Sequence, residues 1–261
     1  ALVKAPNSAR PMAQLAIMLA WGDHPSEGKY RKALELTERT LSLRMSRKLL
    51  DAAQIANMAS IYHKLGEYEK AILYYEQALT VSPKSAKNRY NFAKTLVVNG
   101  DFKRARDEVE KILHQGFIHS DYYHILGFID LWLGNPSTAL SSFQKALKLS
   151  PDRPDVLFAI GSCMSELNYS KKAMWFFNRA QQKGGENLLL SFSMMQDSLK
   201  HNDLSMVHKI FYEIIQRYPV PYILMKLEPS NDRYQSLPLD TVNLKSYIER
   251  QLRAQNCMSK Q

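Results

Sequence analysis

Seven histidines, His24, His63, His114, His119, His124, His201 and His208, are the side chains of this chain best suited to general base catalysis or metal binding. None belongs to a metal-binding signature. His119 and His124 lie five residues apart, a spacing that puts them on different faces of a helix. The chain has two cysteines, Cys163 within a helical pattern and Cys257 in a polar tail, too few for a disulfide framework or a cysteine-based zinc site. No glycine-rich phosphate loop, nucleophile elbow or zincin motif occurs, and the carboxylates are spread along polar helix faces where water solvates them. These residues predict no catalytic centre, no metal site and no cofactor. What remains is charge. The chain carries a net +10, and residues 1 to 50 hold nine Lys or Arg against four Asp or Glu, so half of the excess sits at one end.

The elements that must position any such residues follow from a repeat. Ala71, Tyr75, Ala78 and Pro83 recur as Ala139, Phe143, Ala146 and Pro151, displaced by twice 34 residues. The copy between them is Ala105, Val109, Ile112 and Phe117, without the proline. Further steps give Ala173, Phe177 and Ala180, with Gly184-Gly185 as the helix stop, and then Val207, Phe211, Ile214 and Pro219. Upstream of each set stands a small residue, in Met58-Ala59, Phe92-Ala93, Leu126-Gly127 and Ile160-Gly161. Between the two runs lies Gly66, Gly100, Gly134 or Asn168. A small residue where two helices cross lets their backbones approach, an aromatic ring one turn away fills the remaining gap, and Gly or Asn supplies the left-handed turn between them.

On these motifs, residues 52 to 221 resemble the tetratricopeptide-repeat family. The resemblance implies an all-α fold, a right-handed superhelical solenoid of antiparallel helix pairs, with repeats at 52–85, 86–119, 120–153, 154–187 and 188–221. Residues 12–46 read as an atypical first repeat, with Leu15-Ala16 opening it and Ala33 in the small position. There, Trp21 to Ser26 lengthens the turn, and Arg47 to Asp51 adds residues before the next pair. The repeat array thus takes in residues 1–221, leaving 222–261 as an irregular segment and a capping helix. Pro219, Pro221, Pro229 and Pro238 forbid one continuous helix after the array. Asp240 or Thr241 can cap a last helix that carries Val242, Leu244, Tyr247, Ile248 and Leu252 on an apolar face.

Tetratricopeptide arrays hold protein segments in a groove lined by their first helices, and the family's groove offsets select particular residues here. The second pair contributes Asn57, Ser60, His63 and Lys64, and the third Lys87, Tyr90, Asn91 and Lys94. The fourth and fifth contribute Asp121, His124, Phe128, Leu131 and Trp132, then Asp155, Phe158, Ser162 and Glu166. The predicted groove starts polar and basic, becomes aromatic and ends acidic. Rings with a few Lys and Asn suit a peptide, the rings supplying buried area and the amides fixing an extended backbone. Asn57, Lys87 and Asn91 fall near the lysine and asparagine clamp with which some family members grip a C-terminal carboxylate, but Ala13 and Ile17 stand where that clamp needs its first pair.

The expected function is therefore a non-catalytic, monomeric scaffold for a protein or peptide partner. Two other readings compete. Arg39, Arg44, Arg47 and Lys48 suit nucleic acid, although base-by-base readers need matching side chains at equivalent positions of every repeat, which this chain lacks. The segment Ala5 to Pro11 resembles the junction entering the C-terminal repeats of bacterial polytopic membrane proteins, including glycosyltransferase-like ones. On that reading the repeats select or tether substrates for a larger membrane enzyme. The opening Ala1 to Pro6 has neither an initiator Met nor a signal-peptide profile, and it reads as a cut in a longer protein. The longest apolar runs, Ala13 to Trp21 and Leu188 to Met195, fall short of the roughly 18 to 20 residues that cross a bilayer. A soluble domain is expected, in cytoplasm or periplasm.

Overall fold

The computed structural model of the protein describes residues 9–21, 26–45, 52–184, 188–228 and 239–258. Gly22 to Pro25, with His24, Arg47 to Asp51, Gly185, Pro229 and Pro238 lie outside them, as does the opening segment up to Ser8. The described residues form fourteen helices and no strand, so the fold is all-α. Among them no helix is long and apolar enough to cross a membrane.

The repeat is visible in the helix starts. The first helices of five pairs are α3 (Ala52–Lys64), α5 (Ala86–Asn99), α7 (Ser120–Trp132), α9 (Pro154–Glu166) and α11 (Leu188–Lys200). Their partners are α4 (Tyr68–Val81), α6 (Phe102–His114), α8 (Pro136–Leu149), α10 (Ser170–Gln182) and α12 (Leu204–Arg217). Both series advance by 34 residues. A further pair precedes them, α1 (Ala9–Trp21) and α2 (Glu27–Met45), where Ala33 is fully buried with Met12, Ala16 and Ala20.

One hydrogen-bond pattern closes the turn within each of the five pairs from α3 to α12. At Gly134 (φ +76°) the chain turns left-handed, and the next amide, Asn135 N, donates back to Asp130 O at 2.9 Å. The same bond recurs at Asn168, φ +62°, from Tyr169 N to Met164 O at 2.8 Å. It appears again at Asn202, φ +57°, where Asp203 N bonds Ser198 O at 2.9 Å. This is the arrangement that satisfies the last carbonyls of a helix, and asparagine tolerates it better than other residues with a Cβ. The second helix then starts from an oxygen cap in two of these turns. Asp101 accepts from Arg104 N, and Asp203 from Met206 N.

The chain divides into two compact units, residues 1–117 and 118–261, parted at the copy that lacks the closing proline. This division differs from the expected 1–221 and 222–261. Of the expected terminal segment, the helix at its end packs as part of the second unit. There, Leu244, Tyr247 and Ile248 of α14 (Thr241–Met258) join a core with Phe192, Met195, Val207, Phe211 and Ile214. Asp240 is the cap of α14, accepting from Asn243 N at 3.1 Å. Val242, assigned to the apolar face, is instead 77% exposed, while Leu244, Tyr247, Ile248 and, partly buried, Leu252 meet the core. A short helix, α13 (Val220–Lys226), begins directly after Pro219 with Pro221 in its first turn, where a missing N–H costs nothing, and buries Ile223.

Candidate functional site

In the first unit, α1, α3 and α5 enclose a cleft of about 860 Å³. Seven of the residues selected by the groove offsets line it together: Asn57, Ser60, His63 and Lys64 from α3, and Lys87, Asn91 and Lys94 from α5. Asn88, which the offsets did not select, adds polar surface, and Ile17 and Trp21 of α1 form an apolar wall. No Asp or Glu occurs among the described residues that line it. Such a cleft repels cations and offers ammonium and amide donors to an anion or a peptide backbone.

Its donors are held by specific bonds. Thr95 Oγ1 donates to Asn91 O at 2.9 Å, and that uses its only proton. His63 Nδ1, 3.0 Å from the same oxygen, must therefore carry a proton and donate. His63 thereby ties α3 to α5. Burial, with Lys94 and Lys64 adding positive charge, lowers its pKa to about 4. Ser60 Oγ bonds Ala56 O at 3.0 Å, and Tyr75 Oη lies 2.6 Å from it, so the tyrosine donates to the serine. Lys64 is the most committed of the lysines. Its Nζ donates to Ala20 O at 3.1 Å and sits 5.0 Å over the Trp21 ring and 5.2 Å over Tyr30, fastening α3 to the first pair. Lys94 lies 5.8 Å over Tyr90, which stands half-buried beside the cleft without lining it.

The remaining selected residues lie in the second unit and do not form an exposed aromatic groove. His124 and Phe128, expected at the surface, are buried at 7% and 6% exposure. The cause is Gly127. Lacking a Cβ, it lets the Phe143 ring settle against α7, where a Cβ would come within 2.7 Å of that ring. Phe128 and His124 then pack on Phe143, with centroids 5.7 and 5.8 Å away. Burial lowers the pKa of His124 to about 4, and Asp155, 3.6 Å from its Nε2, only partly opposes this. Phe158 is half-buried against Phe177 at 5.9 Å, and Trp132 is half-buried at the end of α7. Near them Arg153 pairs with both Asp121 and Asp155 across α7 and α9, so those acids serve the fold.

Ile17 was placed by the register only as a residue standing where a clamp would need a polar one, and Trp21 was not selected at all. Trp21 at a helix end directly before Gly22, 46% exposed, is the signal that could have found them. Among the described residues no three His, Cys, Asp or Glu side chains converge on a metal position. The thiol of Cys163 is fully buried, and burial pushes its pKa up, so it is no nucleophile.

Comparison with known proteins agrees with the repeat. The family model described as tetratricopeptide repeat matches residues 52–85, the α3–α4 pair. The human protein O-mannosyl-transferase TMTC1 is 27% identical over 161 residues, which is 60% of this chain and 17% of that protein. The chain therefore spans less than a fifth of this relative. A tetratricopeptide repeat protein from Parabacteroides merdae superposes with a TM-score of 0.71 at 14% identity, covering 83% of this chain and 82% of its own. PilF of Pseudomonas aeruginosa gives 0.66 at 17% identity, covering 84% and 96%. With helix pairs recurring every 34 residues, small residues at their crossings and these structural counterparts, the chain is a helical-repeat array of the tetratricopeptide type.

Proposed function

We propose that this chain is a non-catalytic protein–protein interaction scaffold, acting as a monomer, whose first unit holds an extended, net-acidic peptide segment. The observation that carries this reading is the α1–α3–α5 cleft, lined by Lys64, Lys87 and Lys94 with Asn57, Asn88 and Asn91 and by no described carboxylate. Amide side chains bond a peptide backbone in either direction, and the ammonium groups select its charge. The repeat fold serves protein interaction in general, which favours a protein over a small-molecule ligand. A second reading draws on the human transferase relative: the chain selects or tethers protein substrates for a larger membrane enzyme. The two are compatible, since a tether needs the same cleft.

Fluorescence anisotropy of a labelled oligo-glutamate peptide tests this, with poly(U) RNA and an oligo-lysine peptide alongside. Binding of the acidic peptide, weakened at least tenfold by K87E/K94E in a chain of unchanged circular dichroism, is the expected result. Equal binding by the variant, or preference for RNA, would overturn it.

A further inference from the structure

Beside the cleft lies a second cavity of about 200 Å³, between α1, α2 and α3. Ile17, Trp21, Ala53 and Asn57 line both, so the two are neighbours in one wall. Its lining is mostly aliphatic, from Ala13, Ala16 and Ile61, yet Gln54 projects into it. Gln54 is 7% exposed and its Oε1 has no hydrogen-bond partner. An unpaired buried acceptor is costly, and native proteins rarely leave one without a use. The two hydroxyls on the wall give it no help. Thr37 Oγ1 donates to Ala33 O at 2.8 Å and Thr40 Oγ1 to Leu36 O at 2.7 Å, so both spend their protons within α2 and present only lone pairs.

Resting on the cleft as a peptide site, we infer that this cavity receives a tyrosine side chain of the bound peptide, its phenolic hydroxyl paired with the Gln54 carboxamide. The volume exceeds that of the roughly 150 Å³ apolar cavity known to admit a benzene ring. Trp21 at the mouth offers an aromatic edge or face to the entering ring. A charged ammonium would lose its water for a single neutral acceptor, and a phenylalanine would leave Gln54 unpaired. A phenol both donates and accepts, so it fits whichever way the carboxamide is turned. The cleft thereby acquires a sequence preference. It takes an acidic segment with a tyrosine at the position that passes α1.

Calorimetric titration of the 261-residue chain with p-cresol and with toluene separates this from the reading it rests on, because neither probe is charged. The expected result is p-cresol binding roughly tenfold tighter than toluene. Q54L should bring the two level, and A13L, which fills the cavity from α1, should abolish both. Equal affinities in the unaltered chain, no p-cresol binding at millimolar concentration, or binding untouched by A13L would each overturn the tyrosine pocket. Those outcomes leave the oligo-glutamate result standing. Failure of oligo-glutamate with p-cresol still bound would sink the acidic-peptide reading alone.

Discussion

At the scale of single residues, a glycine and a ring set how closely the helices of a pair approach. A Cβ on Gly161 would lie 2.5 Å from Phe177 Cδ1 and 3.2 Å from Ala173 O. Alanine at that position gains up to about 1 kcal/mol of helix propensity. It also forces a fully buried ring off a close-packed seat, and overpacking of that kind costs about 1 to 3 kcal/mol. The clash wins because Phe177 has zero exposure and Ala173 O is rigid backbone. Gly161→Ala and Gly127→Ala should each lower the urea midpoint. Gly28→Ala, with nothing within 4 Å of its added Cβ, should hold it or raise it. A lower midpoint for Gly28→Ala and not for the other two would contradict the packing account. The small positions at Ala59, Ala93, Gly127 and Gly161 were legible from sequence because this contact constrains residue size directly.

At the scale of elements, α14 stands apart because its partners lie far from it in sequence. Leu244, Tyr247 and Ile248 cover Phe192, Met195, Phe211 and Ile214, which are otherwise the apolar face of the last pair. A chain ending at residue 228 should therefore bind an apolar dye such as ANS and self-associate in size-exclusion chromatography, while keeping its helical circular dichroism. A monodisperse, dye-silent truncation would show that α14 is dispensable. Most elements could be read in advance. The left-handed turns at Gly66, Gly100, Gly134 and Asn168 fix where a first helix ends, and the 34-residue period carries that to Asn202. The start of α14 followed from Asp240 as a cap. What could not be read depends on distance in space. Val242 satisfies the apolar spacing of α14 but finds no neighbour. Phe128 satisfies a groove offset but is drawn inward by Phe143, whose approach depends on Gly127. Asn57, Asn91, Lys64, Lys87 and Lys94 were legible since Lys and Asn at an outward offset have no core to enter, whereas Asn88, off those offsets and buried, was not. Nor was Trp21, because it stands outside the positions the groove offsets select in the first pair.

At the scale of the whole molecule, each unit contains one histidine kept neutral by its surroundings. His63 and His124 have pKa values of about 4, against about 6.5 in an unfolded chain. Between those limits the unfolded state binds more protons than the folded one, so stability falls as pH drops from about 6.5 towards 4. Each group contributes up to about 3 kcal/mol across that window. Thermal unfolding should show a falling midpoint over this range, flattened in His63→Asn and in His124→Asn. An unchanged slope in both variants would remove the histidines as its cause. Acidification therefore weakens the cleft and the second core alike. The pairing of each helix with its neighbour in the chain has a different consequence, for the order of assembly. Turns of two or three residues close most pairs, so little loop entropy is lost before the first packing contacts form. Within each unit any pair can nucleate and grow outward to the next. The α14 segment, whose partners on α11 lie far back in the sequence, loses the larger loop entropy and is expected to dock after them.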